Sequence, residues 1–460
     1  MTLIKSISGI RGTIGGLIDQ NLTPIDIVKF AAAYGTWLSQ RNSGAIKVVI
    51  GRDARLSGDM VSNLVSSTLV GLGIQVLDLG LSTTPTVEFA VPLENAQGGI
   101  ILTASHNPAQ WNALKLLNEK GEFISAEDGA ELLRIAENGS FNFADVYQLG
   151  TVESDDSYID KHIQAVLNLD LVDKNIIEKA GFRIAIDAVN STGGIAVPKL
   201  LRALGVQDII EINCEPTGHF AHNPEPLPEH LVELSNKVID SNAHLGIVVD
   251  PDVDRLAFVN EDGSMFGEEY TLVAIADYVL QHTPGNTVSN LSSTRALRDV
   301  TELRGGKYAA SAVGEVNVVT LMKQTNAVIG GEGNGGVIYP TSHYGRDALV
   351  GIALFLTALA KNKFSMTHYR ASFPQYVISK NKLELSPETD VDKVLEALKT
   401  HYRTQEIDLT DGVKIYFDKE WVHLRKSNTE PIIRIYSEAK TQEKADALAQ
   451  EIVDIAQKLL

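Results

Sequence analysis

At 460 residues the chain is long enough for three or four domains of roughly 100 to 200 residues each. Forty basic against 58 acidic side chains leave a net charge of −18, and 44% of residues are hydrophobic, which is the composition of globular domains and excludes a disordered chain. That charge repels polyanions at long range and argues against a broad nucleic-acid surface and against an anionic membrane surface.

In chain order, Met1 to Gly12 carries Lys5 and Arg11 but no apolar stretch of the secretory kind. Thr23 caps and Pro24 opens a helix whose Ile27, Phe30, Ala31 and Tyr34 share one face. Ile46 to Ile50 reads as a strand, followed by the loop Gly51-Arg52-Asp53-Ala54-Arg55, a helix to about Leu72 and a strand from Gln75 to Leu79. The same order returns with a strand from Arg183 to Ile186, the loop Asp187 to Gly194, a helix to about Leu204 and a strand from Ile209 to Ile212. Both helices end in Leu-Gly-(Ile or Val)-Gln, which puts Gly73 and Gly205 where a left-handed residue closes a helix. A third, fainter copy starts at Asn286 to Leu291, with Ser292-Ser293-Thr294 as loop and cap and a helix to Leu303. This internal repeat predicts mostly parallel sheets with helices on their faces, and ligands at the carboxyl ends of the strands.

Ala348 to Ala360 is the longest apolar helical stretch, interrupted by Thr357 and short of the roughly 20 residues that a bilayer needs. After Phe373 the pattern changes to hairpin-like runs at Gly412 to Phe417, Trp421 to Leu424 and Ile432 to Tyr436, closed by a helix carrying Ala445, Leu448, Ile452, Ile455 and Leu459, a smaller α+β domain. Breaks fall at Gly150 to Asp156, after Arg255, and around Lys361 to Gln375. Cys214 is the only cysteine, so no intrachain disulfide forms, and the expectation is a small buried side chain in a reducing, cytoplasmic setting.

Four loops carry chemistry. Asp250-Pro251-Asp252-Val253-Asp254-Arg255 follows the apolar strand Leu245 to Val249. Alternate carboxylates on an extended loop face one way, and that much charge at the end of a buried strand suits a hard cation. A solvated acidic turn is the bland alternative; an aspartyl-phosphate phosphatase motif is another. An EF-hand is excluded, because Arg255 stands at the sixth position where the sharp turn requires glycine.

Gly331-Glu332-Gly333-Asn334-Gly335-Gly336 fits a dinucleotide loop, but Val337 to Tyr339 continues as strand where that fold needs a helix. Glu332 and Asn334 then suit neutral hydroxyls, and a plain hairpin turn explains the glycines equally well. Arg425-Lys426-Ser427-Asn428-Thr429-Glu430-Pro431, with Arg434 beyond, has the donors of a phosphate nest or of an ordinary polar hairpin. Thr103-Ala104-Ser105-His106-Asn107-Pro108 follows the strand Gly99 to Leu102, and lacks the G-x-S-x-G elbow of acyl-transfer serines.

Together, and in this order, the four loops resemble those of the α-D-phosphohexomutases, the family of phosphoglucomutase, phosphomannomutase and phosphoglucosamine mutase; the resemblance spans nearly the whole chain. It implies a phosphorylated Ser105, Mg²⁺ on Asp250, Asp252, Asp254 and the Ser105 phosphate, sugar recognition by Glu332 and Asn334, and a clamp for the non-transferring phosphate from Arg425, Ser427, Asn428, Thr429 and Arg434. It places Arg255 with the substrate and Lys115 in the proton-transfer region, counts His106 and Arg11 with Ser105 and Lys115 as catalytic, and puts Arg11 and Arg52 near the phosphoserine. The implied fold has three similar α/β domains with mixed, mostly parallel sheets flanked by helices, plus the smaller C-terminal α+β domain, around one central cleft. Its domains are a phosphoserine domain (1–150), a metal-binding domain (151–255), a sugar-recognition domain (256–368) and a phosphate-binding domain (369–460).

The implied activity interconverts hexose 6-phosphate and hexose 1-phosphate through a hexose 1,6-bisphosphate. Glu315, after Gly314, stands where glucose/mannose enzymes carry a histidine, and a carboxylate there favours the amine of glucosamine phosphate; phosphoglucomutase/phosphomannomutase activity is the alternative. A metal-dependent phosphohydrolase and a non-catalytic sugar-phosphate sensor are more distant ones, since the first has no use for the clamp and the second no need of Ser105. The expected partners are a hexose phosphate only, without nucleic acid or membrane, on a monomer or homodimer.

Overall fold

The computed structural model describes residues 2–6, 9–384, 391–426 and 432–459. Two compact units divide the chain, Met1–Thr271 with Gly335–Tyr369, and Leu272–Asn334 with Arg370–Leu460.

The first sheet collects β1 (Ile4–Ser6), β2 (Gly9–Thr13), β3 (Lys47–Arg52), β4 (Gln75–Leu81), β5 (Gly98–Leu102), β6 (Trp111–Leu117) and β7 (Val152–Ser154) in the order β1-β2-β6-β5-β3-β4-β7. β3 pairs in parallel with β4 and β5, whereas β6 runs antiparallel to β5 and to β2. The helix Pro24–Arg41 starts as its sequence predicts, with Thr23 and Asp26 closing a capping box, which stabilises the helix by about 1 kcal/mol. It lays Phe30, Tyr34 and Trp37 into the core beneath the sheet.

The repeat is more complete than its sequence suggests. β3, helix Gly58–Gly71, β4, helix Thr84–Leu93, β5 and β6 form one copy. The second is β8 (Arg183–Asp187), helix Gly193–Ala203, β9 (Asp208–Ile212), helix Val232–Asp240, β10 (Leu245–Val249) and β11 (Leu256–Asn260). Its sheet order, β11-β10-β8-β9, matches β6-β5-β3-β4, including the antiparallel final strand. Both helix-ending glycines are left-handed, Gly73 with φ 80° and Gly205 with φ 91°.

The third copy runs through β12 (Asn286–Asn290), helix Ala296–Leu303, β13 (Tyr308–Ser311), helix Glu315–Thr325 and β14 (Ala327–Glu332), with β15 (Gly336–Ile338) next in the chain. β12 is flanked by parallel β13 and β14, as β3 is by β4 and β5. The serine, acidic and glycine loops therefore sit at one topological place, between the third and fourth strands of successive copies. That is the carboxyl end of a buried strand, where an α/β sheet exposes its ligands.

The C-terminal part of the second unit is α+β. Antiparallel β16 (Val377–Glu384), β17 (Glu406–Asp408), β18 (Val413–Phe417), β19 (Glu420–Lys426) and β20 (Ile432–Ala439) take the order β16-β20-β19-β18-β17. The helices Val391–His401 and Gln442–Leu459 cover one face, around Leu398, Ile415, Val422, Ile433 and Ile452. Cys214 is half-buried and not a core side chain: its thiol donates to the Ile212 carbonyl at a strand end, and burial pushes its pKa up to about 12. No helix among the described residues is long and apolar enough to cross a membrane.

Candidate active site

In the first unit, β5 delivers Thr103 to the floor of the serine loop, where its hydroxyl donates to Asp53 Oδ2 at 2.6 Å and accepts the Ser105 N–H at 2.9 Å. Ser105 is left-handed, φ 50°, a conformation that costs a non-glycine residue roughly 1–2 kcal/mol. The surroundings impose it. The buried Arg55 guanidinium donates to the carbonyls of Ser105, Asn107 (2.6 Å), Pro108 (2.7 Å) and Trp111 (2.9 Å) and, through Nε, to Asp53 Oδ2 (3.0 Å). Five fixed donors on one planar group make Arg55 a template for the loop. Thus held, Ser105 Oγ donates to Asp250 Oδ2 at 2.7 Å.

The acidic loop is a tight turn and not the extended segment that alternation of its acids suggests. The Val253 N–H bonds the Asp250 carbonyl at 3.1 Å, and Val253 itself is left-handed with φ 64°, unfavourable for a β-branched residue. Asp250 Oδ1 accepts the N–H groups of Asp254 (3.2 Å) and Arg255 (3.1 Å), so the first acid folds the turn around itself. Ser191 and Thr192 donate their hydroxyls to the Pro251 carbonyl at 2.7 and 2.9 Å, and the Ala348 N–H donates to the Val253 carbonyl at 3.2 Å. Gly335, the end of the glycine loop, accepts the Leu256 N–H at 3.1 Å.

Folded this way, Asp250, Asp252 and Asp254 are all fully buried and offer ligand oxygens within 4.8 Å of one another. Asp252 Oδ2 takes the Thr84 hydroxyl (2.5 Å) and Lys115 Nζ (2.7 Å); Asp254 Oδ2 takes Arg346 Nη2 (2.7 Å) and Lys115 Nζ (3.4 Å). The other oxygen of each, Asp252 Oδ1 and Asp254 Oδ1, is buried without a hydrogen-bond partner. Buried polar atoms are rarely left so, and hard anionic oxygens converging on one point suit a hard divalent cation. Burial raises the Asp250 carboxyl well above its usual range and the charges of Asp252 and Asp254 add to that. Burial also opposes the charge on Asp252, but Lys115 outweighs it and holds that carboxyl down.

Lys115, on β6, is therefore an ammonium ion and not a ready base: burial works against its charge, and Asp252 and Asp254 more than restore it. His106 is the opposite case. Burial and the charges of Arg255, Arg346 and Arg11 hold its ring neutral, and its Nδ1 is buried without a partner. Arg255 reaches Glu225 Oε1 at 3.3 Å while its buried Nε makes no hydrogen bond. Arg11 lies on β2 opposite Ala113. Arg52 turns to Asp59, and the arginine that grips the serine loop is Arg55. Besides Asp53 and Arg55, sequence reasoning missed Thr84 and Arg346, whose partners lie 168 and 92 residues away.

In the second unit, Glu332 ends β14 and is buried; its Oε1 accepts Asn290 Nδ2 (2.9 Å) and the Gly314 N–H (3.1 Å). The Gly333 N–H donates to Ser293 Oγ at 3.0 Å. Glu315, next to Gly314, is buried at the first turn of its helix. Asp411 Oδ2 accepts the Val313 N–H at 3.0 Å and pairs with Arg425 Nε at 2.8 Å, so one run of contacts links Arg425 to the Gly314–Glu315 corner and on to Glu332.

Arg425 and Arg434 are direct cross-strand partners, with Lys382 opposite Arg434 on β16. Like charges side by side on a sheet face are unfavourable alone, and an anion between them reverses the sign. Ser427, Asn428 and Thr429 lie outside the described residues.

Comparison with known proteins identifies the family. Models of the phosphoglucomutase/phosphomannomutase domains match along the chain: α/β/α domain I at residues 3–143, domain II at 156–263, domain III at 267–376 and the C-terminal domain at 382–455. A "Phosphoglucomutase/phosphomannomutase" of Thermococcus kodakarensis is 36% identical over 456 residues, covering 98% of each chain. A "Probable phosphoglucosamine mutase" of Methanopyrus kandleri is 32% identical over 98% of this chain and 97% of its own. The crystal structure of a phosphoglucomutase/phosphomannomutase family protein from Burkholderia thailandensis superposes with a TM-score of 0.85 at 25% identity, covering 100% of this chain and 98% of that one. With four successive domain models and full-length relatives of this identity, the chain belongs to the phosphoglucomutase/phosphomannomutase family of phosphohexomutases.

Proposed function

We propose that this enzyme moves a phosphoryl group between the two ends of a hexose phosphate through phosphorylated Ser105, with glucosamine phosphate as its substrate. The observation that carries the reading is Ser105 Oγ 2.7 Å from Asp250, beside two buried carboxylate oxygens that lack partners. A serine that only capped a turn would not be strained toward three acids. Asp250, Asp252 and Asp254 would hold Mg²⁺, which supplies neutralisation of the charge on the phosphoryl oxygens when bound.

In the first half-reaction the bond between Ser105 Oγ and phosphorus breaks as a sugar hydroxyl oxygen forms its own bond to phosphorus, giving a hexose 1,6-bisphosphate. Arg55 keeps Oγ in place by fixing the loop backbone, so the serine oxygen leaves and returns at one position. The hydroxyl proton passes to a basic side chain. His106 is held neutral and can accept it; Lys115 can do so once its proton is no longer held by Asp252 and Asp254. In the second half-reaction Ser105 Oγ takes the other phosphoryl group and a proton returns to the sugar oxygen. Arg255 is suited to phosphoryl oxygens by its partnerless Nε. Arg425 and Arg434 would clamp the phosphate that is not transferred, together with Ser427, Asn428 and Thr429.

Glu332 and Asn334 would take sugar hydroxyls, and Glu315 would meet the amine of a glucosamine. Relatives bearing the phosphoglucosamine mutase name support that substrate. The phosphoglucomutase/phosphomannomutase reading is favoured by the 36% identical relative that bears that name.

Intact mass and activity of Ser105→Ala test the mechanism. The wild type is expected to carry one phosphate that the variant lacks, with mutase activity reduced roughly 10⁴-fold or more; an active variant would sink it. Relative rates on glucosamine, glucose and mannose phosphates decide the substrate, and a Glu315→Gln protein should lose its preference for the amino sugar first.

A further inference from the structure

The first unit buries a second cluster that the mutase mechanism leaves unused. His162, on the helix Tyr158–Leu167, and His343, in the turn before the helix Ala348–Asn362, aim Nε2 at the same oxygen: Asp347 Oδ2 lies 3.0 Å from one and 3.1 Å from the other. His162 and Asp347 are fully buried, and the His343 side chain is only 10% exposed. The three donor atoms lie within 4.8 Å of one another.

Asp347 Oδ1 caps the helix by accepting the N–H groups of Leu349 (2.8 Å) and Val350 (3.2 Å). His162 Nδ1 shares a hydrogen bond with the Thr86 hydroxyl at 3.0 Å, and His343 Nδ1 faces Glu88 Oε2 at 3.5 Å. Gly345 makes room for that carboxylate, since a Cβ there would stand 1.9 Å from Glu88 Oε2.

Each ring thus turns one nitrogen to a common centre; His162 is oriented through the other by the Thr86 hydroxyl, as in histidines that ligate metals, and the other nitrogen of His343 lies in the field of the Glu88 carboxylate. One carboxylate oxygen facing two ring nitrogens requires an N–H on both, or one cation shared by all three. Two imidazole nitrogens and one carboxylate oxygen suit a borderline metal such as Zn²⁺ or Co²⁺, whereas the all-oxygen acidic triad suits a hard one. A dication also balances two buried carboxylates, Asp347 and Glu88.

We propose that His162, His343 and Asp347 form a second cation site, selective for a transition metal, behind the acidic loop. Two elements connect the sites. The helix Thr84–Leu93 gives Thr86 and Glu88 to this cluster and Thr84 to Asp252; the turn before the helix Ala348–Asn362 gives His343 and Asp347 here and Arg346 to Asp254. A metal on the cluster braces both against the acidic loop.

The test uses full-length protein stripped with a chelator, dialysed against Co²⁺ in excess Mg²⁺, and read by metal content and visible absorption. One Co²⁺ per chain is expected, retained in Asp252→Asn and lost in His162→Gln and His343→Gln. A folded wild type without Co²⁺, or a Co²⁺ lost in Asp252→Asn and retained in His343→Gln, overturns the proposal. Glu88→Gln keeps all three donors and guards against variants that fail to fold: Co²⁺ binding should weaken about 10-fold or more, and wild-type affinity there counts against the site. None of these readouts depends on mutase activity.

Discussion

Asp252 in the first unit and Glu438 in the second are both cut off from water, yet they end on opposite sides of the ordinary carboxyl range. Asp252 has an ammonium ion 2.7 Å away, and Lys115 keeps it an anion against the cost of burial. Burial carries the Glu438 carboxyl up to about 7, against the pull of the Thr294 hydroxyl, the Arg295 backbone N–H at 2.9 Å, the charge of Lys414 and the Trp421 indole N–H at 2.6 Å. Hydrogen bonds to neutral donors do not replace a cation in direct contact. The first unit thus preserves the charge of Asp252 within a cluster that could hold a cation, and the second uses a buried acid as packing with a handle.

The hardest way to break this comparison is at Asp252. Asp252→Asn is expected to lower mutase activity by roughly 10²- to 10³-fold and to abolish the rise in melting temperature that Mg²⁺ gives the wild type, since ligand binding stabilises only a fold that has the site. An Asp252→Asn protein that Mg²⁺ still stabilises would show that the acids are not the metal ligands.

Glu438→Gln addresses the other side. The folded carboxyl titrates near 7 against an ordinary 4.5, so the native state holds the extra proton between those values. The stability this contributes is complete below about 4.5 and gone above about 7. The variant should therefore gain stability over wild type between pH 5 and pH 8, by on the order of 2 kcal/mol, measured by denaturant unfolding at the two values. A difference that does not change with pH would place a cation on Glu438. His423 moves the opposite way, since burial takes it to about 4, and it serves as the internal contrast when unfolding is followed toward acid.

The smallest effect sharpens the contrast between Glu332 and the acids. Glu332→Gln keeps an oxygen for Asn290 and Gly314, so the fold should persist while KM rises about 10-fold through a weaker acceptor for the sugar. The Mg²⁺ dependence should not move. A change in it would link Glu332 to metal handling.

Much of the site was readable because its residues cluster in short loops at strand ends. Three acids at alternate positions after an apolar strand, and a serine after another, need no distant partner to be noticed. Arg55 was visible only as one member of a polar loop, and nothing local told it from Arg52; what separates them is that one points at four carbonyls and the other at Asp59. Thr84, Arg346 and His162 carry no local pattern, because their meaning lies in contacts across 92 to 185 residues, and His343, four residues from Asp347, gains its meaning only when His162 arrives. The fold was legible for the same reason in reverse: strand-loop-helix periodicity is local, so two copies stood out, whereas completion of each by an antiparallel fourth strand depends on pairing.

The sequence by itself marked four candidate loops at strand ends, showed that the chain repeats an α/β unit, and set its net charge at −18. Tertiary structure decided the state of the charges. Burial turned Asp250 toward its neutral form and kept His106 neutral, while Asp252 and Asp254 overcame burial to make Lys115 the counter-ion of the acids it was expected to work beside. Residue type sets what a group can donate, accept or ligate. Distance and exclusion of water set which of those it does, and both are properties of segments that meet only when the chain is folded.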